Sequence, residues 1–237
     1  MNKIYTLTLK SAARDPFLLL WSIIVPATSA IALGYFVKTA GYQAHIVTGM
    51  MAMGIIFYSF MTTSHINLSQ RRRGVFKLLK ITPLSLWRYI MSISGGWTTI
   101  SVFCGLLILL FGIIFFGLHI SFLSVLAMIA AMLLTSMSYV FLSFIVSSFS
   151  KNESYLSIFT SLITYPVLFC SSAFYSLDNA PYLLRIISRF NPFEWFVSAL
   201  RNAMNLNWID YLLNGLLLLI TFFVLLLISV RTFKHQD

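Results

Sequence analysis

The sequence predicts an all-α integral membrane protein, a single domain over residues 1–237. Its expected parts are six transmembrane helices and an N-terminal interfacial amphipathic helix. A basic amphipathic helix is expected on the cytoplasmic side between spans two and three, and two short, re-entrant-like outer helices between spans five and six. Three observations predict this. The chain is 59% hydrophobic and 9% charged, with a mean hydropathy of +0.89, whereas soluble domains carry about 25% charged residues. Six apolar runs are each long enough to cross a bilayer, which takes about 20 residues. The basic residues are spread very unevenly over the segments that join those runs.

Taken in order, residues 1–15 come first. On a helix, Lys3, Lys10 and Arg14 share one face, and Ile4, Tyr5, Leu9 and Ala12 lie opposite. Such a stretch lies in the membrane interface and leads into the first span. Asp15 stands at that junction. Pro16 suits a first helical position, where its missing N–H costs nothing. The spans follow at about 17–37, 46–66, 94–116, 122–147, 154–176 and 209–230. None contains Lys, Arg or Glu, and Asp210 stands at the edge of the last. A charge at a span centre costs about 2.5–3.5 kcal/mol on insertion scales, so their absence fits helices in lipid. The runs are continuous rather than alternating, which argues against a barrel. Pro26 and Pro166 fall inside spans one and five. Each removes a backbone hydrogen bond and predicts a kink, serving either packing or a gating hinge.

Residues 67–90 hold six of the 16 Lys and Arg residues. Arg73, Lys77 and Lys80 share one helical face; Val75, Leu78, Leu79 and Thr82 share the other. With the N-terminus inside, twelve basic residues lie in inner segments. The other four, Lys38, Arg185, Arg189 and Arg201, lie outside. The positive-inside rule then places both termini in the cytoplasm. The formal charge of +10 is accounted for by this bias and by attraction to anionic lipid, so no nucleic-acid partner is expected.

The outer segment 177–208 is about half apolar and aromatic, unlike a solvated linker. One short helix is expected after Pro181, ending near Asn191 before Pro192, and a second from about Phe193 to Asn205. Arg185, Arg189, Glu194 and Arg201 sit here. Two uses fit them: salt bridges at the rim, or contacts with a ligand or partner. Aromatic residues in the spans, Tyr35, Phe57, Tyr58, Tyr165, Phe169 and Tyr175, are candidates for lining a substrate path. Helix packing and interface belts account for them more readily.

Several chemistries are missing. The chain has no GxxxxGK[ST] loop, no HExxH, no GxSxG and no Cys/His cluster. His45, His65, His119 and His235 are scattered near span boundaries, and Cys104 and Cys170 lie in apolar runs. No catalytic residue, metal site or bound cofactor is expected. Without acidic residues inside the spans there is no usual carrier for a proton or sodium relay. Uphill transport would draw its energy from another chain.

These features together resemble the membrane subunit of type-2 ATP-binding-cassette exporters, over roughly residues 10–231. RDPFLLLWSIIVP (14–26) looks like the family's interfacial helix entering span one. RRRGVFKLLKITPLS (71–85) is similar to its cytoplasmic coupling helix, with Arg71, Gly74, Leu79, Thr82, Pro83 and Ser85 matching the pattern E-R-E-x-G-T-x-x-x-L-x-x-T-P-x-S. The six spans match the family topology. Asn191-Pro192 followed by Arg201 looks like its paired outer helices. The family's acidic positions are Gln70 and Arg72 here, and its usual Thr is Val75.

The resemblance implies a fold and a mechanism. Two permease subunits, identical or paralogous, pair in the bacterial cytoplasmic membrane. A separate ATPase subunit holds ATP and Mg, and this chain holds no cofactor. The coupling helix seats in the ATPase: Phe76, Val75 and Leu79 bury, while Arg71, Arg73 and Lys77 meet acids or lipid. Gly74 allows close approach, and Thr82-Pro83 stops the helix. The cargo would be hydrophobic or amphiphilic: a drug, a peptide, a lipid or a lipid-linked glycan. Other readings of the same spans are a non-transporting immunity or assembly protein and an ATP-independent channel or carrier.

Overall fold

A computed structural model of the chain describes residues 2–13, 16–37, 41–75, 86–177 and 180–234. The described residues form helices joined by short turns, with no strand. The elements are α1 (Asn2–Ala13), α2 (Pro16–Phe36), α3 (Tyr42–Ile56), a π-helical segment (Phe57–Thr62), α4 (Thr63–Arg72), α5 (Leu86–Phe116) and α6 (Phe122–Phe149), followed by α7 (Glu153–Phe169), α8 (Tyr182–Arg189), α9 (Pro192–Met204) and α10 (Trp208–Lys234).

Five stretches among the described residues are long and apolar enough to cross a membrane: Leu19–Phe36, Tyr42–Arg72, Trp87–Phe116, Phe122–Phe149 and Trp208–Thr232. The expected fifth span, 154–176, differs. It is helical only as the 17 residues of α7, about 26 Å at 1.5 Å per residue, against a hydrocarbon core of about 30 Å. Asn152 starts it by accepting the Tyr155 N–H at 2.9 Å. Past Pro166 the helix ends at Cys170, and residues 171–177 run as bends and turns. The uncharged run continues there while the helix does not.

The second run is the central element, and α3 is almost wholly buried. Its helix widens at 57–62, where side-chain hydroxyls turn back onto the backbone. Ser59 donates to Ile55 O at 2.5 Å, Thr63 to Ser59 O at 2.6 Å and Ser64 to Phe60 O at 2.6 Å. Such bonds satisfy polar groups that lipid cannot. Pro26 sits inside α2 and has no N–H to donate to the Ser22 carbonyl, which lies against Gly54 of α3. The two helices approach closely at that point because glycine offers no side chain.

Two apolar clusters hold the bundle together. One joins α3, α6 and α9 through residues such as Met50, Ile55, Met132, Phe193, Phe196 and Leu200. The other joins α1, α5, α6 and α10 around Ala12, Ile93, Trp97, Phe141 and Phe144. The face of α1 carrying Ile4, Leu9 and Ala12 packs into this second cluster. Tyr5 Oη lies 2.9 Å from Thr99 Oγ1 of α5, and Thr8 fills the space beside Gly96.

Candidate functional site

The two ends of the bundle are built differently. At one end, α8 and α9 form between Pro181 and Asn205, close to the bounds expected from Pro181 and Asn191-Pro192. Asn191 serves two helices. Its Oδ1 accepts the Phe193 N–H at 3.0 Å and starts α9. Its Nδ2 donates to Val167 O at 2.7 Å and Cys170 O at 3.2 Å, closing the end of α7. Pro192 follows at the first helical position. Helix α9 does not lie on the surface: Phe193, Phe196, Val197, Ala199, Leu200 and Ala203 are all fully buried.

That placement carries Glu194 and Arg201 inward. Glu194 accepts the Ser172 N–H at 2.5 Å, the Ser172 hydroxyl at 2.8 Å and the Ser198 hydroxyl at 3.0 Å. Arg201 donates to Ser172 Oγ at 2.5 Å and to Ser172 O at 2.6 Å. Its Nη2 also lies 3.1 Å from His45 Nε2 on α3. A guanidinium only donates, so Nε2 accepts and the His45 ring proton sits on Nδ1. Burial pulls the Arg201 pKa down to about 10, and Glu194 opposes that shift. Arg201 therefore stays cationic at neutral pH.

This cluster is a latch on the turn after α7. Tyr42 Oη donates to Phe174 O at 3.0 Å, and Tyr175 Oη donates to Phe169 O. Beneath it the Ala173 backbone sits on Gly49, leaving no room for a Cβ. Glu194 and Arg201 thus bond within the chain, and neither makes an ion pair among the described residues. The sequence did not single out His45, Gly49 or Ser172 for this junction. An acidic residue in a short apolar helix was the available signal, because it demands buried donors.

At the other end three successive arginines have three fates. Arg71 caps α6, donating to Ser147 O at 2.8 Å and Ser148 O at 2.5 Å. Arg72 pairs with Glu153 at 3.1 Å. Arg73 forms no ion pair among the described residues. The long helix ends here, with Arg73 N donating to Ser69 O and Gly74 N to Arg71 O, both at 3.0 Å. Gly74 has φ +73, a left-handed backbone that favours glycine, and among the described residues nothing lies within 4 Å of a Cβ there. The helical phase expected across Arg73 and Val75 is interrupted at this residue. Val75 is half-buried against the second cluster.

Phe76, Lys77, Leu79, Thr82 and Pro83 lie outside the described residues, as do Arg14 and Asp15. Lys10 is in the last turn of α1 and exposed, and Pro16 is the first residue of α2. The aromatic candidates do not gather in one place. Tyr58 is buried against Trp97, with ring centroids 6.3 Å apart, and Phe57 is half-buried beside the first cluster. Tyr35 packs against Phe116, and Phe169 against Phe174. Tyr35, Tyr165 and Phe169 lie on the outside of the bundle.

The family ABC2_membrane, described as ABC-2 type transporter, matches residues 4–205, from α1 to the end of α9. No curated protein matches the chain at a significant level.

Proposed function

Because this chain belongs to the ABC-2 type transporter family, we propose that it is the membrane subunit of an ATP-driven exporter in the bacterial cytoplasmic membrane. The observation that carries the reading is the extent of the match, which includes both the arginine-rich end and the latch at the opposite end. The chain is a multi-pass membrane permease subunit. The described carboxylates support an external energy source. Glu153 is paired with Arg72, Glu194 is bonded to Ser172 and Ser198, and Asp210 accepts from Asn207 at 2.6 Å. Asp210 stands in the first turn of the last span, and none of the three stands at the middle of a span as a proton carrier would.

In this reading residues 71–85 are the coupling element. Phe76 and Leu79 seat in a nucleotide-binding subunit, and Arg73 and Lys77 meet acids or lipid around it. ATP and Mg stay on that subunit. Both termini face the cytoplasm, which puts the arginine end inside and the latch outside. A second permease subunit, identical or paralogous, completes the pathway. The apolar outer surface of α7, with Ile158, Leu162, Tyr165 and Phe169 exposed, is suited to lipid or to that second subunit. The cargo is hydrophobic or amphiphilic, and the latch is the outer closure that yields when it leaves.

The test is co-purification with the candidate ATPase subunit, comparing wild type with Phe76→Glu plus Leu79→Glu. Wild type should retain the partner and its membrane-dependent ATPase activity, and the double variant should lose both. A wild type that retains no ATPase subunit, with a double variant indistinguishable from it, would overturn the reading.

A further inference from the structure

A cleft of about 270 Å³ opens at the arginine end between α1, α4 and α5. Ser11, Ser69, Gln70 and Arg73 contribute its polar wall, and Tyr58 and Trp97 lie beside them. Its volume holds about nine water-sized groups at ~30 Å³ each. Three observations bear on what would fill it. Arg73 is an exposed cation with no ion pair among the described residues, while its two predecessors are committed elsewhere. Trp97 closes the inner wall as a buried ring, 3% exposed. No carboxylate lines the cleft among the described residues. The helix also turns π-helical at Tyr58, a distortion that frequently marks functional sites.

A guanidinium, hydroxyls and an amide, with no acid among the described lining residues, make a site rich in donors. A guanidinium fork matches phosphate oxygens two at a time, and hydroxyl and amide donors complete such a shell. We propose that this cleft binds a phosphate group. Two sources share that chemistry: the headgroup of an anionic lipid, or a soluble phosphate ester. The proposal does not depend on the identity of the cargo or on the ATPase partner.

The experiment is native mass spectrometry of the detergent-purified full chain, titrated with phosphatidic acid and, separately, phosphatidylcholine. Wild type should retain one phosphatidic acid per protomer in preference to phosphatidylcholine. Arg73→Gln should weaken that retention about tenfold, Arg73→Lys less, and Ser69→Ala severalfold through loss of a donor. Arg72→Gln removes the same formal charge one residue away and should leave retention unchanged. Because Arg73 is exposed, its replacement does not put folding at risk. Displacement of phosphatidic acid by millimolar inorganic phosphate would support the site and assign it to a soluble ester. Resistance to displacement would support it and assign it to a lipid. Equal weakening by Arg72→Gln and Arg73→Gln would overturn the proposal, because it would reduce the effect to diffuse charge attraction. Retention of phosphatidylcholine as strong as that of phosphatidic acid would overturn it as well.

Discussion

Glu194 and Arg201 lie two turns apart on one face of α9 and do not pair with each other; both hold Ser172. The carboxylate takes the Ser172 N–H and hydroxyl, and the guanidinium takes the Ser172 carbonyl and hydroxyl oxygens. One residue after the end of α7 is therefore gripped through every polar atom it has.

Removing either grip should loosen that end of the bundle. Hydrogen bonds to charged groups contribute about 1.5–3 kcal/mol each in net terms. Arg201→Gln should lower the melting temperature in detergent by about 5–10 °C, given roughly 2–4 °C per kcal/mol for a chain of this size. Ser172→Ala should cost less, since the backbone N–H and C=O remain in place. A thermal melt showing Ser172→Ala more damaging than Arg201→Gln would contradict this account.

The glycines rank by what surrounds them. At Gly49 a Cβ would strike the Ala173 backbone; at Gly54 it would meet first the end of the Ile108 side chain, 2.6 Å away. Backbone cannot step aside as a terminal methyl can. Gly49→Ala should therefore cost several kcal/mol, in the range of about 1–3 or more for overpacking, and Gly54→Ala distinctly less. Parallel melts of the two variants decide the order.

The arginines at the other end should separate in the same way. Arg71→Gln removes two bonds to the last carbonyls of α6 and should destabilise by about 1–2 kcal/mol. Arg72→Gln breaks only an exposed pair with Glu153 and should cost about 0–1 kcal/mol, an effect that fades with added salt. Melts at low and high ionic strength check both statements.

Cysteine labelling tests orientation. Cys104 is fully buried in the spans, while Cys170 is partly exposed at the latch end. With the arginine end in the cytoplasm, a membrane-impermeant maleimide added to intact cells should label Cys170 and spare Cys104. Labelling of Cys170 only after the cells are opened would reverse the orientation.

The membrane class, the five long apolar helices and the bounds of α8 and α9 were legible in the sequence. Each rests on chemistry close along the chain: apolar runs that water would reject, Pro181 and Pro192 fixing helix starts, and Asn191 supplying a cap. The breakdown of the fifth run was not legible, because residues 170–176 carry no charge, proline or glycine to mark where the helix stops. Their backbone groups are satisfied by Asn191, Glu194 and Arg201, 21 to 29 residues away for Cys170 and Ser172.

The same holds for the site at the arginine end. The sequence placed three arginines in a row, yet charge alone could not tell them apart. Their separation depends on the rotation of α4 against α6 and α7, which turns Arg71 to the end of one helix, Arg72 to Glu153, and leaves Arg73 beside α1. Hydropathy is additive along a chain and so survives in the sequence. Which polar group meets which partner is set by helix contacts between distant segments, as with His45 and Arg201, 156 residues apart, and only the tertiary structure decides that.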